Sequence, residues 1–98
     1  MKEITVEELK ARMAASESIN LIDVREEWEF DEDNIGAQLI PLGDIPVRIS
    51  EIEHLKNQEV IVHCRSGARS AKALKYLTSQ GFDNVINLKG GIMAYREA

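Results

Sequence analysis

The chain has 98 residues, 44% of them hydrophobic and 30% charged, and a formal net charge of −5. This composition excludes disorder and low complexity, and the acidic balance argues against a nucleic-acid surface. The opening "MKEITVEELK" is too charged for a secretory signal and no apolar run approaches membrane-spanning length, so a single domain, 1–98, in the cytoplasm is expected. With one cysteine there is no internal disulfide, and no His/Cys cluster offers a metal site.

Thr5 reads as a helix N-cap, with Glu8 three residues later completing a capping box and Ile4 and Leu9 placed as a hydrophobic staple. A helix is expected from about Val6 to Ala15, with Val6, Leu9 and Met13 on its apolar face. Leu21, Ile22 and Val24 form a buried strand ending near Asp23. "EEWEFDED" follows, very acidic, as a short helix in which Trp28 and Phe30 are core or rim. "NIGAQLIPLGDIP" reads as a surface loop, with a brief strand possible at Leu39-Ile40. Pro46 opens a helix whose face carries Val47, Ile49, Ile52 and Leu55, ending near Lys56.

"EVIVHC" is the clearest strand: short, β-branched and apolar, as in a parallel sheet covered on both faces. A helix follows from about Ser70 to Gln80, with Ala71, Leu74 and Leu77 at spacing three and Gly81 at its C-terminus. "NVINL" is another buried strand, "KGG" a tight turn and "IMAYREA" a closing helix. Strands and helices alternate, which specifies an α/β domain with a mostly parallel sheet. Ligands of such sheets bind beyond the carboxyl ends of the strands, where Asp23 and Cys64 both fall, so one site is expected to hold both.

The loop between the strand and the helix, Cys64-Arg65-Ser66-Gly67-Ala68-Arg69-Ser70, holds the only cysteine. Amides curling into a helix N-terminus form a nest for an anion, and Gly67 permits the backbone angles of the curl. Such a setting lowers the pKa of Cys64, because the thiolate is stabilised by helix-terminal N–H groups and by cations. Arg65 and Arg69 are either contacts for an anion or struts, Arg69 bracing Asp23 or a carbonyl. His63, adjacent in the strand, points to the opposite face. Asp23 and Arg25 read as a structural ion pair in support of the site. Residues 1–59 carry 15 acidic and 6 basic side chains, whereas residues 60–98 carry 2 and 6. A positive mouth on an acidic body suits a small anionic ligand.

"LIDVREEWEF", "IPLGDIP", "VIVHCRSGARSAKAL" and "VINLKGGIMAY" together resemble the single-domain rhodanese family, in the family's order and over nearly the whole chain. The resemblance implies a three-layer α/β fold with a central parallel sheet flanked by helices. It implies a sulfurtransferase in which Cys64 takes sulfane sulfur from a small anionic donor such as thiosulfate. The persulfide then passes to cyanide, a thiol or a protein acceptor. The family's persulfide cradle maps onto Arg65, Ser66, Gly67, Ala68 and Arg69, with Ser70, Asp23 and Arg25 in support. Neither metal nor organic cofactor is implied, and a monomer is expected, with a partner protein as possible sulfur donor or acceptor. The family often has histidine where this chain has Asn34, and a proline is missing nearby, which leaves the rim geometry open.

Two rival readings remain. Phosphatases of the same fold resemble the chain at "HC" but place five residues between cysteine and arginine, where this chain places four. The smaller bowl suits sulfur better than a phosphoester or arsenate. Rhodanese-like binding modules without catalysis are the second rival; such domains exist without the cysteine, and Cys64 in an intact loop argues against that reading here.

Overall fold

A computed structural model describes all residues, 1–98. Its first half comprises β1 (Glu3–Ile4), α1 (Val6–Ala14), β2 (Leu21–Asp23), α2 (Glu27–Glu32), β3 (Gln38–Leu39) and α3 (Ile45–Arg48). A 3₁₀ segment, Ile49–Leu55, leads to β4 (Val60–His63), α4 (Ala68–Ser79), β5 (Val85–Leu88) and α5 (Gly91–Glu97). The strands form one sheet in the order β1-β5-β4-β2-β3, every adjacent pair parallel. This is the expected α/β architecture, with helices on both faces.

Side-chain alternation in the strands sorts the core into two layers. Ile22, Val60, Val62, Cys64 and Val85 pack on one face against α3, the 3₁₀ segment and α4, through Ile45, Ile52, Leu55, Ala73 and Leu77. Ile61, Ile86 and Leu88 pack on the other against α1 and α5, through Val6, Leu9, Ala94 and Tyr95. Strands β4 and β5 are buried at every position, as a parallel sheet between two helical layers requires.

The N-cap and the staple hold: the Thr5 side chain accepts from the Glu8 N–H at 3.1 Å, and Ile4 and Leu9 are buried. The capping box closes only by half, because the Glu8 carboxylate accepts from the Thr5 hydroxyl at 3.0 Å rather than from the Thr5 N–H. Three expectations change. Met13 is exposed, because α1 buries only Val6 and Leu9. Val47 is 81% exposed and does not share the face of its neighbours, because the expected single helix is α3 followed by 3₁₀. Ile49, Ile52 and Leu55 stand three apart, which is the 3₁₀ period. Finally, α4 starts at Ala68, so Ala68 and Arg69 belong to its first turn rather than to a loop. Its buried stripe is Ser70, Ala73 and Leu77, displaced from the expected Ala71–Leu74–Leu77 line and led by a serine.

Candidate active site

Cys64 follows β4 directly and its side chain is buried. The chain then turns through Arg65 and Ser66 to Gly67, whose φ of +115° is open to glycine and strained for other residues. This turn aims the start of α4 back at the sulfur. The Gly67 N–H donates to Cys64 Sγ at 3.2 Å and the Ser70 N–H at 3.4 Å. The Ser70 hydroxyl lies 3.3 Å from the same sulfur. The N–H groups of Ala68 and Arg69 have no partner within the chain, as expected in the first turn of a helix.

Burial pushes the Cys64 thiol up, but hydrogen bonds from Ser70 and from the Gly67 and Ser66 amides outweigh it, and the net shift is downward. The direction is the expected one, and of the two expected causes the N–H groups at the start of α4 lead, joined by the Ser70 hydroxyl. The effect comes from hydrogen bonds more than from the two guanidinium groups.

The far side of the turn is fixed by α5. The Ile92 N–H donates to the Cys64 carbonyl at 2.9 Å, and the Met93 N–H to the Arg65 carbonyl at 3.1 Å. One helix N-terminus thus holds the carbonyls of the turn while the other faces the sulfur. Of Gly90 and Gly91, read from sequence as a tight turn, Gly91 is what lets α5 come this close, whereas a side chain on Gly90 would meet Ala94 within α5. A side chain on Gly91 would overlap both carbonyls.

The two arginines divide their roles. Arg69 makes a two-pronged ion pair with Glu29 of α2, Nη2 to Oε2 at 2.9 Å, and not with Asp23 as one reading had it. Glu29 also accepts from the Glu26 N–H, so one carboxylate caps α2 and braces α4. Arg65 is exposed and has no carboxylate partner; its Nε touches Met93 Sδ at 3.4 Å. Arg65, Met93 and Arg96 line a cleft of about 340 Å³ with Trp28, Glu29 and Glu32 on the facing helix. Trp28, 63% exposed, is a rim residue rather than core. Asn34, where the resembled family often has histidine, closes the end of α2 by donating to the Phe30 carbonyl and accepting from the Gly36 N–H.

Asp23 is correctly placed at a strand end but not beside the sulfur. In register with His63, it projects into the opposite face from Cys64. It is fully buried and binds Arg25 through Nε and Nη2, the latter at 2.7 Å. Arg25 in turn donates to the Asp33 carbonyl at 2.7 Å and reaches the Glu29 carbonyl, which secures α2. The pair thus supports the site through α2 rather than by contact. His63 is buried as expected of a strand-end residue, its Nδ1 3.2 Å from the Cys64 carbonyl. Burial pushes the His63 imidazole down from its usual range, against the pull of Asp23 and with the push of Arg25.

Two members of the site escaped the sequence reading. Glu29 looked like one acidic residue among many. Asn87, the single polar side chain of β5, is buried; its amide donates to the Gly67 carbonyl at 3.2 Å and its oxygen lies 2.5 Å from Ser70 Oγ. A lone polar residue inside an otherwise apolar strand was the available signal.

The Glu29 pair gives a testable acid response. Arg69 chiefly holds the Glu29 carboxyl down, from an ordinary 4.5 to about 2, against the effect of burial. A depressed folded-state pKa adds stability above the unfolded value and loses it as pH falls through the folded one. Between pH 4.5 and about 2 the melting temperature of Glu29→Gln should therefore fall less steeply than that of the unsubstituted protein. Parallel curves would show that the pair contributes nothing to folding.

A profile of the rhodanese-like domain family matches residues 5–98. A sulfurtransferase of Allochromatium vinosum is 43% identical over 96 residues, 97% of this chain and 88% of that protein. A putative sulfur carrier protein of Bacillus subtilis, YrkF, is 38% identical over 92% of this chain, which spans 48% of its length. The crystal structure of a rhodanese-like domain protein from Staphylococcus aureus superposes with a TM-score of 0.88 at 35% identity, covering 97% of this chain and 91% of that one. The fold, the cysteine turn at the end of β4 and these similarities agree, and the chain belongs to the rhodanese-like domain family.

Proposed function

We propose that the protein is a sulfurtransferase that carries sulfane sulfur on Cys64. The observation that carries this reading is the convergence of two amides and a hydroxyl on one buried sulfur, with two more amides free beyond it. In loading, the Cys64 thiolate attacks the sulfane sulfur of an anionic donor such as thiosulfate. A new S–S bond forms, the donor's bond breaks, and sulfite leaves with the bonding pair. The outer sulfur of the persulfide carries the negative charge, within reach of the free Ala68 and Arg69 amides. In release, a nucleophile attacks that outer sulfur and Cys64 departs as a thiolate. The chain has no second cysteine to resolve the persulfide, so the acceptor is another molecule: cyanide, a small thiol or a partner protein. The names of the relatives support sulfur transfer and sulfur carriage.

Intact mass after incubation with thiosulfate tests the reading. A gain of one sulfur atom in the unsubstituted protein, absent in Cys64→Ser and discharged by cyanide, is expected. No gain from thiosulfate or from a persulfidated protein donor would overturn it. Arg65 is the cation left free for the donor, so Arg65→Gln should slow loading from thiosulfate about tenfold, the loss of one charge-assisted hydrogen bond.

A further inference from the structure

Asn87 lies on the Cys64 side of the sheet, one strand away, and paired in register with Val62. Its neighbours in β5 are apolar, and a buried carboxamide in such a strand is costly unless both ends are satisfied. Here Nδ2 meets the Gly67 carbonyl and Oδ1 meets the Ser70 hydroxyl. The Gly67 carbonyl is already held by the Ala71 N–H at 3.0 Å, so the turn does not depend on Asn87 for that anchor. The Ser70 hydroxyl is different. It has one proton and three acceptors within reach: Asn87 Oδ1 at 2.5 Å, the Gly67 carbonyl at 3.2 Å and Cys64 Sγ at 3.3 Å.

We propose that Asn87 is a positioning residue that draws the Ser70 hydroxyl proton away from the Cys64 sulfur and so sets the balance between sulfur loading and sulfur release. The proposal rests on the sulfurtransferase reading for its consequence, but not for its geometry. With a neutral thiol, the network runs in one direction: S–H to Ser70 Oγ, and the Ser70 hydroxyl to Asn87 Oδ1. Every group is paired. When the sulfur ionises it becomes the strongest acceptor nearby, and the Ser70 proton turns to it only by leaving Oδ1 unpaired. Asn87 therefore favours the protonated sulfur, against the amides that favour the anion. A more basic sulfur is a stronger nucleophile towards the donor and a poorer leaving group when the acceptor attacks.

The charged groups around the sulfur do not change in this comparison. Arg69 of α4 is paired with Glu29 of α2, and Arg65 stands on the turn. Asp23 and His63 lie on the other face of the sheet, with Arg25 bound to Asp23. No residue of β5 titrates, and α5 presents its N-terminal amides.

The test is the pH dependence of Cys64 alkylation in the full chain, which reads the sulfur whether or not the protein transfers sulfur. Asn87→Leu, of nearly the same shape, should move the inflection down by about one pH unit, the scale of one hydrogen bond to a charged sulfur. Ser70→Ala should move it up. In the Ser70→Ala background, Asn87→Leu should leave the inflection where it is, because the effect passes through that hydroxyl. Above both inflections, Asn87→Leu should load about threefold more slowly and release sulfur faster. If Asn87→Leu does not fold, Asn87→Ala gives the same comparison. An unchanged or raised inflection, or a shift that persists without the Ser70 hydroxyl, would overturn the proposal. A lowered inflection in a protein that takes up no sulfur would leave the Asn87 assignment standing and remove the sulfurtransferase reading instead.

Discussion

Gly91→Ala is expected to lower sulfur loading on Cys64 by about two orders of magnitude, the usual consequence of displacing a reacting group by about an ångström. Residue 91 has no chemistry of its own. Its φ is +60°, and a Cβ there would overlap the Cys64 and Arg65 carbonyls, which are backbone and cannot rotate away. Those two carbonyls receive the Ile92 and Met93 N–H groups in the first turn of α5. To make room, α5 must withdraw, both hydrogen bonds open, and the turn loses what holds its carbonyls away from the sulfur. The amides of Gly67 and Ser70 then no longer converge. The stability cost adds left-handed strain at alanine to two hydrogen bonds, about 3 kcal/mol in all. Denaturant unfolding should show that loss, and Cys64 alkylation should shift towards the pH of an ordinary thiol. Full loading in a folded Gly91→Ala protein would mean that the turn keeps its shape without α5.

How much of this was legible depends on how far apart the partners lie. Strand β4 is a run of four buried residues, so its neighbours in sequence suffice to identify it. The turn after it is equally local: cysteine, glycine and the start of a helix fall within six positions. Strands β1 and β3 are two residues each, too short to show any period, and they form because a parallel partner is already in place. The 3₁₀ segment was hidden because apolar residues three apart fit an α-helical face nearly as well. Ser70 reads as a supporting residue but not as the leading buried residue of α4, because a serine adds nothing to the apolar periodicity that marks a buried stripe. The pairing of Arg69 with Glu29 spans 40 positions and six acidic residues compete for it between 26 and 33, so no local pattern selects the partner. The choice is made by α2, which Arg25 fixes from the other side of the sheet.

That arrangement makes Asp23 the position whose loss should cost the most stability. Its carboxylate is fully buried and takes the Arg25 N–H at 2.9 Å as well as the guanidinium. Arg25 is only 4% exposed, so Asp23→Ala strands a buried positive charge. Breaking such a pair from one side costs about 3–5 kcal/mol, a large part of the about 5–15 kcal/mol that holds a domain folded. Arg25→Met should be comparably damaging, since it leaves the carboxylate without its partner. Asp23→Leu combined with Arg25→Met should regain much of the loss, because removing both charges removes the desolvation penalty as well. The double variant separates two roles that the single ones confuse. Its core is restored, but the carbonyls of Glu29 and Asp33 have lost the donor that tied α2 to the sheet. Sulfur loading should therefore remain slow in a protein that unfolds at nearly the original denaturant concentration, with Glu29 no longer fixed beneath Arg69. If loading recovers together with stability, the ion pair serves the fold alone and α2 is held by other contacts. If Asp23→Ala costs less than about 1 kcal/mol, the pair is not desolvated as its burial implies.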